Sequence, residues 1–199
     1  FTTRAWASLR SRPRWALGTI TMPGFGLYDK YIESPERDMN WLANQLITNS
    51  TWDDLDWMRE QWDGPLAFKG LVAVEDMRAA VDAGVSAVIL SNQGARHFDT
   101  APATLDMLPA VVDAVGDQVE VIFDSGIRRG TDILKAIALG ATACTGSRLY
   151  CYGLAAGGQK GVERALQLLR AEVERDMIFM GAATLEQVNG ESILNNPQA

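Results

Sequence analysis

The feature that most constrains the fold is a rhythm of strand, turn and helix that repeats four times between residues 65 and 180. Short apolar runs predict the strands, and each is followed by a turn and a stretch with helical spacing of its apolar residues. The predicted strands are 65–70, 85–90, 119–124 and 141–146, and the predicted helices that follow them are 74–84, 104–115, 131–139 and 162–180. Strands that alternate with helices form a parallel sheet with right-handed crossovers. The sequence therefore predicts an α/β fold with half the units of a (β/α)8 barrel.

The regions on either side of the repeat are less regular. Residues 1–50 begin without a methionine and predict a short basic helix and a long loop, which indicates a processed or partial chain. Within this loop, the apolar residues of 17–32 could contact a membrane or a partner, but packing on the barrel is the favoured interpretation. Thr51 is a suitable N-cap for a helix with an acidic first turn. The tail 189–199 is polar and is expected to be frayed.

Composition argues against several classes of function. The formal net charge of −7 argues against a nucleic-acid surface, because backbone binding requires a positive footprint. No run reaches the ~18 apolar residues of a membrane span, and no signal peptide opens the sequence, so we expect a cytoplasmic protein, with membrane association as the alternative. Cys144 and Cys151 form no CxxC motif and predict buried free thiols in a reducing compartment. No metal-ligand spacing, catalytic triad or nucleotide-binding glycine motif is present.

Chemically active side chains follow all four predicted strands. They are Lys69 after the first strand, Ser91 and Gln93 after the second, Asp124 after the third, and Ser147 and Arg148 after the fourth. Because the carboxyl ends of barrel strands converge on one mouth, we expect these groups to lie close together. Packing alone explains poorly why a lysine, a carboxylate and an arginine would meet there.

The turns after the third and fourth strands predict a phosphate site. The run from Asp124 to Gly130 opens onto the amino end of a helix, and the next turn places the small Ser147 beside Arg148. Small residues expose backbone N–H groups, helix amino ends favour anions, and arginine binds phosphate through two parallel hydrogen bonds. The loops after the last two strands are also the usual phosphate pocket of such barrels.

These motifs resemble those of the FMN-dependent 2-hydroxy-acid oxidase and dehydrogenase family, which includes glycolate oxidase, lactate oxidase and dehydrogenase, and (S)-mandelate dehydrogenase. The motifs that carry the resemblance are Lys69-Gly70, the run Ser91 to Asp99, the run Asp124 to Gly130, and Arg148 followed by Tyr152 to Ala155. The resemblance implies the C-terminal half of a TIM barrel. Residues 51–188 would be its βα units 5–8, and residues 1–50 would be the helix and long loop after the fourth strand.

The resemblance also implies an activity and roles for individual residues. The activity is an FMN-dependent oxidation that moves a hydride from the α-carbon of a small 2-hydroxy acid to flavin. Lys69 and Ser91 would contact the cofactor, Asp124 would orient the catalytic base, and Arg96 would bind the substrate carboxylate. The FMN phosphate and ribityl chain would be held by Asp124, Ser125, Gly126, Ile127, Arg128, Ser147 and Arg148.

The sequence departs from the family pattern at the expected base. Gln93 stands where the family has a histidine, and since glutamine has no titratable group near neutral pH, hydroxy-acid oxidation should lose at least the ~10²–10⁴ in rate that a base supplies. His97, the only histidine, could be a displaced base, although a surface or loop-packing role is favoured. Asp124 could accept a hydrogen bond from the Gln93 amide. Ser125 and Ser147 replace usual glycines, which serine can do where φ is negative.

Several alternatives stay open at this stage. An amine or amino-acid substrate would need no base, because the lone pair of a neutral nitrogen can drive the hydride out, and Arg96 would still hold a carboxylate. The chain could also be a catalytically silent FMN-binding subunit, and Gln93 could be an engineered residue. The exposed strand edges of half a barrel predict a complementary chain or segment with the first four βα units. The resemblance to the family alone implies a homo- or hetero-oligomer.

Overall fold

The computed structural model describes residues 50–193, and those from Trp52 onward belong to one compact unit. Its strands are β1 (Ala67–Leu71), β2 (Ala87–Leu90), β3 (Glu120–Asp124) and β4 (Ala143–Thr145). Its helices are α1 (Trp52–Gln61), α2 (Val74–Asp82), α3 (Thr104–Val115), α4 (Gly130–Ala138) and α5 (Arg148–Met180). Short 3-10 turns lie at Gln93–Ala95, Leu185–Gln187 and Gly190–Ser192.

The four strands pair in sequence order as one parallel sheet. Val88 of β2 lies between Phe68 of β1 and Val121 of β3, which gives the register of the central strands. The register shifts after Lys69, where Gly70 adopts a φ of 104° that glycine tolerates best. The order confirms the predicted succession of four parallel βα units and brings all four carboxyl ends to one edge of the sheet.

The core lies between the sheet and the helices that cross over it. Met77 of α2, Leu108 and Val111 of α3, and Val88 and Leu90 of β2 are all fully buried. Burying an aliphatic side chain of this size contributes roughly 1.5–3 kcal/mol relative to exposure, so this layer fixes how the strands lie side by side. The apolar core ends at the carboxyl edge of the sheet, where polar side chains replace it.

The last helix differs from the sequence-based expectation. The last helix was predicted to begin at residue 162, but α5 runs from Arg148 to Met180 and is interrupted only at Gly157 and Gly158, the latter with a φ of 58°. On either side of this break, Gly153 and Gly161 approach so closely that a Cβ on Gly161 would overlap the Gly153 carbonyl oxygen. The glycines therefore allow two helical segments to pack against each other, whereas a glycine-rich run usually indicates a loop.

The carboxyl-terminal residues also differ in part from the predicted frayed tail. Val188 is buried against Leu134 and Ala138, and Ile193 packs on the same cluster, so the described start of the expected frayed tail is ordered by apolar contacts. Residues 194–199, and residues 1–49 of the helix and loop expected at 1–50, lie outside the described residues. No described helix is long and apolar enough to cross a membrane.

The two cysteines occupy different environments. Cys144 lies in β4 and is partly buried, and this burial raises the pKa of its thiol to about 11. Cys151 is exposed, so the expectation that both thiols are buried is wrong for this residue. Its position in α5 rather than beside a strand explains the difference, because the first segment of α5 leaves much of its surface uncovered.

Candidate functional site

Side chains from all four strand ends converge on the carboxylate of Asp124. Lys69 Nζ lies 2.6 Å from Asp124 Oδ2, and Ser91 Oγ donates to the same oxygen at 2.5 Å. Thr145 Oγ1, at the end of β4, donates to Asp124 Oδ1 at 2.5 Å. Ser91 is completely buried. The structure thus brings Lys69, Ser91 and Asp124 together, and it adds Thr145, which sequence reasoning missed.

Asp124 is held as a carboxylate by these neighbours. Burial raises its pKa, but the hydrogen bonds from Lys69, Ser91 and Thr145 outweigh burial and hold the pKa below its ordinary value of 3.8. Hydrogen bonds to the charged form stabilise that form, so Asp124 is a poor proton acceptor at neutral pH. It anchors Lys69 rather than serving as a base.

The hydrogen bond expected between the Gln93 amide and Asp124 is not formed. Among the described residues, Asp124 accepts hydrogen bonds from Lys69, Ser91 and Thr145, and at 3.5 Å from Ser125. The Gln93 amide instead lies over the backbone of Gly70, with Nε2 3.2 Å from the place where a Cβ would stand.

The loop after β2 holds its residues in an unusual backbone conformation. Gln93, Gly94 and Ala95 have φ angles of 52°, 70° and 56°. Asn92 Oδ1 accepts the N–H of Gly94 at 2.9 Å, and Arg96 Nε donates to the Gln93 carbonyl at 3.0 Å. A left-handed conformation costs a non-glycine residue about 1–2 kcal/mol, and such strain clusters at functional sites.

A cavity of about 530 Å³ opens over the carboxyl edge of the sheet. It is lined by polar and apolar side chains from every strand end, namely Lys69, Ile89, Gln93, Arg96, Asp124, Thr145, Gly146, Ser147 and Tyr150. Lys69 is neutralised by Asp124, whereas the Arg96 guanidinium has no carboxylate partner in the part of the chain that the structure describes. A free guanidinium suits a carboxylate ligand. His97 is exposed and does not line the cavity.

A second cavity, of about 210 Å³, lies between the loop after β2 and the turn after β3. Gly94, Ser125, Gly126 and Arg148 are among its lining residues. No atom lies within 4 Å of the place where a Cβ on Gly126 would stand, and Arg148 Nη2 lies 3.6 Å from the corresponding place on Gly94. The structure therefore brings Ser125, Gly126 and Arg148, three residues of the predicted phosphate site, to one open space.

The amino end of α4 does not contribute to an anion site as the sequence suggested. Asp132 Oδ2 accepts the N–H groups of Arg128 and Arg129, each at 2.9 Å. Glu172 Oε2 accepts the N–H of Gly130 at 2.9 Å and the Arg129 Nε at 3.0 Å. Because the chain's own carboxylates occupy this helix end, the groups left for a phosphate are the open backbone at Gly126, the Arg148 guanidinium and the amino end of α5.

The residues of the predicted phosphate site differ in backbone conformation and burial. Ser125 has a φ of 88°, so the condition that favoured serine there is not met, whereas Ser147, with a φ of −115°, meets it. Ile127 is buried, and its Cβ lies 3.6 Å from the place where a Cβ on Gly146 would stand, so its side chain belongs to the core. Arg128 is exposed, and its guanidinium has no partner among the described residues.

Comparison with known proteins defines the class of this chain. The family model described as FMN-dependent dehydrogenase matches residues 1–195, and the chain belongs to that family of flavoprotein oxidoreductases. It is 49% identical over 187 residues to pre-mycofactocin synthase of Mycolicibacterium smegmatis, a match that covers 94% of the chain and 44% of the relative. It is 36% identical over 200 residues to L-lactate dehydrogenase of Alcaligenes faecalis, covering 98% and 53% respectively.

Solved structures agree with this assignment. The monotopic membrane protein (S)-mandelate dehydrogenase matches with a TM-score of 0.87 and 33% identity over 98% of this chain and 53% of its own. Mandelate oxidase with benzoyl-formic acid matches with a TM-score of 0.68 and 42% identity over 70% and 42%. The chain spans about half the length of the relatives that it matches. The fold is thus a partial TIM barrel, as the resemblance implied, and FMN is the cofactor of its family.

Proposed function

We propose that the chain provides the FMN-binding half of an oxidoreductase that removes a hydride from the α-carbon of a small carboxylate substrate, and that this carbon carries an amine. The observation that carries the proposal is the cavity over the strand ends. It combines a free guanidinium at Arg96 with an ion pair at Lys69 and Asp124, and among the described residues it contains no free base.

The residues at the strand ends fit FMN. The smaller cavity presents the Arg148 guanidinium and the open backbone of Gly126, and this donor set suits a phosphate. The Asp132 carboxylate also lines this cavity, and its Oδ2 accepts the N–H groups of Arg128 and Arg129. The larger cavity presents the half-exposed ammonium of Lys69, which suits the negative charge of a reduced flavin ring. When bound, FMN supplies the two-electron acceptor for the reaction.

Arg96 is the residue that we expect to bind the substrate carboxylate. Its Nε is engaged by the Gln93 carbonyl, which leaves the two terminal nitrogens free to make a pair of parallel hydrogen bonds. The same contact ties the guanidinium to the loop that carries Gln93, so the two side chains approach a substrate together. Lysine at this position would offer a point charge without the planar match.

The choice of an amine follows from the proton that a hydroxyl donor must lose. Histidine, glutamate and aspartate are the usual bases near neutral pH, and of these only Asp124 lines the cavity within residues 50–193. Its pKa lies below the ordinary range, and both of its oxygens accept hydrogen bonds. A neutral amine requires no base, because its lone pair forms the C=N bond as the hydride departs. Gln93 is then free to hydrogen-bond the substrate.

A 2-hydroxy acid is the second candidate substrate. Two similar proteins, L-lactate dehydrogenase and (S)-mandelate dehydrogenase, are named for 2-hydroxy acids, and their similarity to this chain favours this alternative. On this alternative, the chain would oxidise hydroxy acids slowly, because Gln93 cannot take the hydroxyl proton.

The substitution Gln93→His separates the two candidates. In the intact protein with FMN, we expect the wild type to be reduced by a 2-amino acid and hardly at all by the 2-hydroxy acid with the same side chain. The histidine should raise the rate with the hydroxy acid by about 10²-fold or more, since it supplies the missing base. Gln93→Asn is the control, because it changes the side chain without adding a titratable group. Fast wild-type reduction by the hydroxy acid alone would refute the proposal.

A further inference from the structure

We propose that Glu172, on the second segment of α5, is a positioning residue for the phosphate group of FMN, and that it acts through the turn between β3 and α4. This inference rests on the proposed function, since it takes Gly126 and Arg148 as the phosphate end of the cofactor site. Glu172 is 46 residues beyond Gly126 in the sequence and does not line either cavity of the site.

Glu172 fixes the far end of the turn with two hydrogen bonds. Its Oε2 accepts the backbone N–H of Gly130 at 2.9 Å and the Nε of Arg129 at 3.0 Å. Gly130 is buried, and a Cβ there would lie only 2.5 Å from the Val173 nitrogen and 2.7 Å from the Glu172 Cβ. Because α4 and α5 are in such close contact, a water molecule has little room to replace the carboxylate, and its loss would leave a buried donor unsatisfied.

The turn between its anchors carries the open backbone of the phosphate cavity. Ser125 and Gly126 have φ angles of 88° and 84°, a conformation that a serine adopts only when its surroundings impose it. Ile127 holds the middle of the turn in the core, Asp132 accepts the N–H groups of Arg128 and Arg129, and Glu172 holds the end of the turn at Gly130. Losing the Glu172 anchor would free this end, let the strained backbone relax and move the Gly126 N–H away from its present direction.

Glu172 also pairs with Arg129, which keeps this guanidinium from binding a phosphate. Its ion pair, 2.9 Å from Oε1 to the Arg129 Nε, holds that guanidinium beside α5 and neutralises it. The Arg129 side chain and the Gly130 N–H both lower the pKa of Glu172, so the carboxylate stays charged across the physiological range. Arg148 is then the guanidinium that faces the smaller cavity.

The test compares the binding of FMN and riboflavin to the intact protein by quenching of flavin fluorescence. Riboflavin lacks only the phosphate, so it reports whether the flavin site as a whole is preserved. Glu172→Ala should weaken FMN binding about tenfold and leave riboflavin binding unchanged, the loss expected for one charge-assisted hydrogen bond. Glu172→Gln keeps an acceptor for the Gly130 N–H and should stay within about threefold of the wild type. Glu174→Ala, which removes a partner of the exposed Arg170 on the same helix, is the matched control.

Several results would overturn the inference. FMN affinity that is unchanged or higher in Glu172→Ala would show that the carboxylate does not position the turn. An equal loss of riboflavin affinity would show that Glu172 only supports the fold. If Glu172→Ala does not fold, Glu172→Asp decides, because it keeps the charge but cannot reach Gly130, and it too should weaken FMN selectively. A wild-type protein that binds riboflavin and FMN equally would contradict the inference alone, whereas one that binds no flavin would also refute the proposed function.

Discussion

Asp124 connects the carboxyl ends of all four strands, β1 to β4, through hydrogen bonds. It accepts hydrogen bonds from side chains of the three other strand ends, so its charge organises Lys69 and orders two hydroxyl groups at once. A buried carboxylate with several donors is more stable charged than neutral, and removing it would leave an ammonium and two hydroxyls without their acceptor.

Replacement of Asp124 by asparagine should destabilise the fold in a pH-dependent manner. At pH 7 we expect the free energy of unfolding to fall by about 1–3 kcal/mol. Because the pKa of Asp124 in the folded protein lies below its ordinary 3.8, its stabilising effect is present above that value and is lost as the pH falls through the lower folded pKa. Urea unfolding at several pH values measures this difference. A difference between wild type and variant that does not shrink in acid would contradict this role.

Ser125 and Ser147 give a matched pair for testing backbone strain. Ser125 has a φ of 88° and Ser147 a φ of −115°. Ser125→Gly should therefore stabilise the protein by about 1 kcal/mol, because glycine adopts the left-handed region without a steric penalty. Ser147→Gly should stabilise nothing and should cost a few tenths to 1 kcal/mol through added flexibility of the unfolded chain. Equal effects of the two substitutions in thermal unfolding would show that strain at Ser125 is negligible.

Individual site residues could be predicted only where strand geometry brings them together. Lys69 and Asp124 were predictable because each ends a strand of a parallel sheet. Thr145 was missed because it stands within an apolar strand, although the register that pairs it with Asp124 would have revealed it. Glu172 was missed because it lies 42 residues from Gly130 on a helix, where no local pattern indicates a contact.

At the scale of secondary structure, α5 connects the two ends of the proposed phosphate site. Its first residue is Arg148, and its second segment carries Glu172. The strands and α3 were predictable because apolar residues repeat with the period of the element. The helical character of 153–161 was not, because glycines favour loops unless a close helix contact requires them, and that contact forms only in the folded chain.

The contact between Gly153 and Gly161 predicts that the glycines of α5 differ in how well they tolerate substitution. Gly161→Ala should destabilise the protein by about 1–3 kcal/mol, because the new methyl group would overlap the Gly153 carbonyl and force the segments apart. Gly157→Ala should be tolerated, since no atom lies within 4 Å of its added Cβ. Chemical denaturation of both variants tests this. Greater damage from Gly157→Ala would contradict the packing described here.

At the scale of the whole molecule, the sheet is half of a barrel. Within the described residues, β1 and β4 each pair on one side only. Since unpaired parallel strands invite association, we propose that the other four βα units, from a complementary chain or segment, cover these edges. The chain expressed alone should aggregate or melt without cooperativity, and joining it to the missing units should restore both properties. A cooperative melt of the isolated chain as a stable monomer, followed by calorimetry and sedimentation, would contradict this proposal.

The sequence could predict half a barrel but not which donor its cavity accepts. The parallel order of the strands follows from local periodicity, whereas the identity of the donor depends on which groups reach the cavity, and spacing in the sequence does not reveal them. The cavity that holds Arg96 and Gln93 is therefore the part of the site from which the substrate class is inferred.

The most direct test is the visible absorption spectrum of the intact, FMN-loaded protein during anaerobic addition of paired 2-amino and 2-hydroxy acids. We expect the amino compounds to bleach the flavin absorbance, with a rate that rises with pH as the substrate nitrogen loses its proton, and the hydroxy acids to react at least about 10²-fold more slowly. Bleaching by hydroxy acids alone would contradict the proposed function, and so would a bound flavin that no donor of either class reduces.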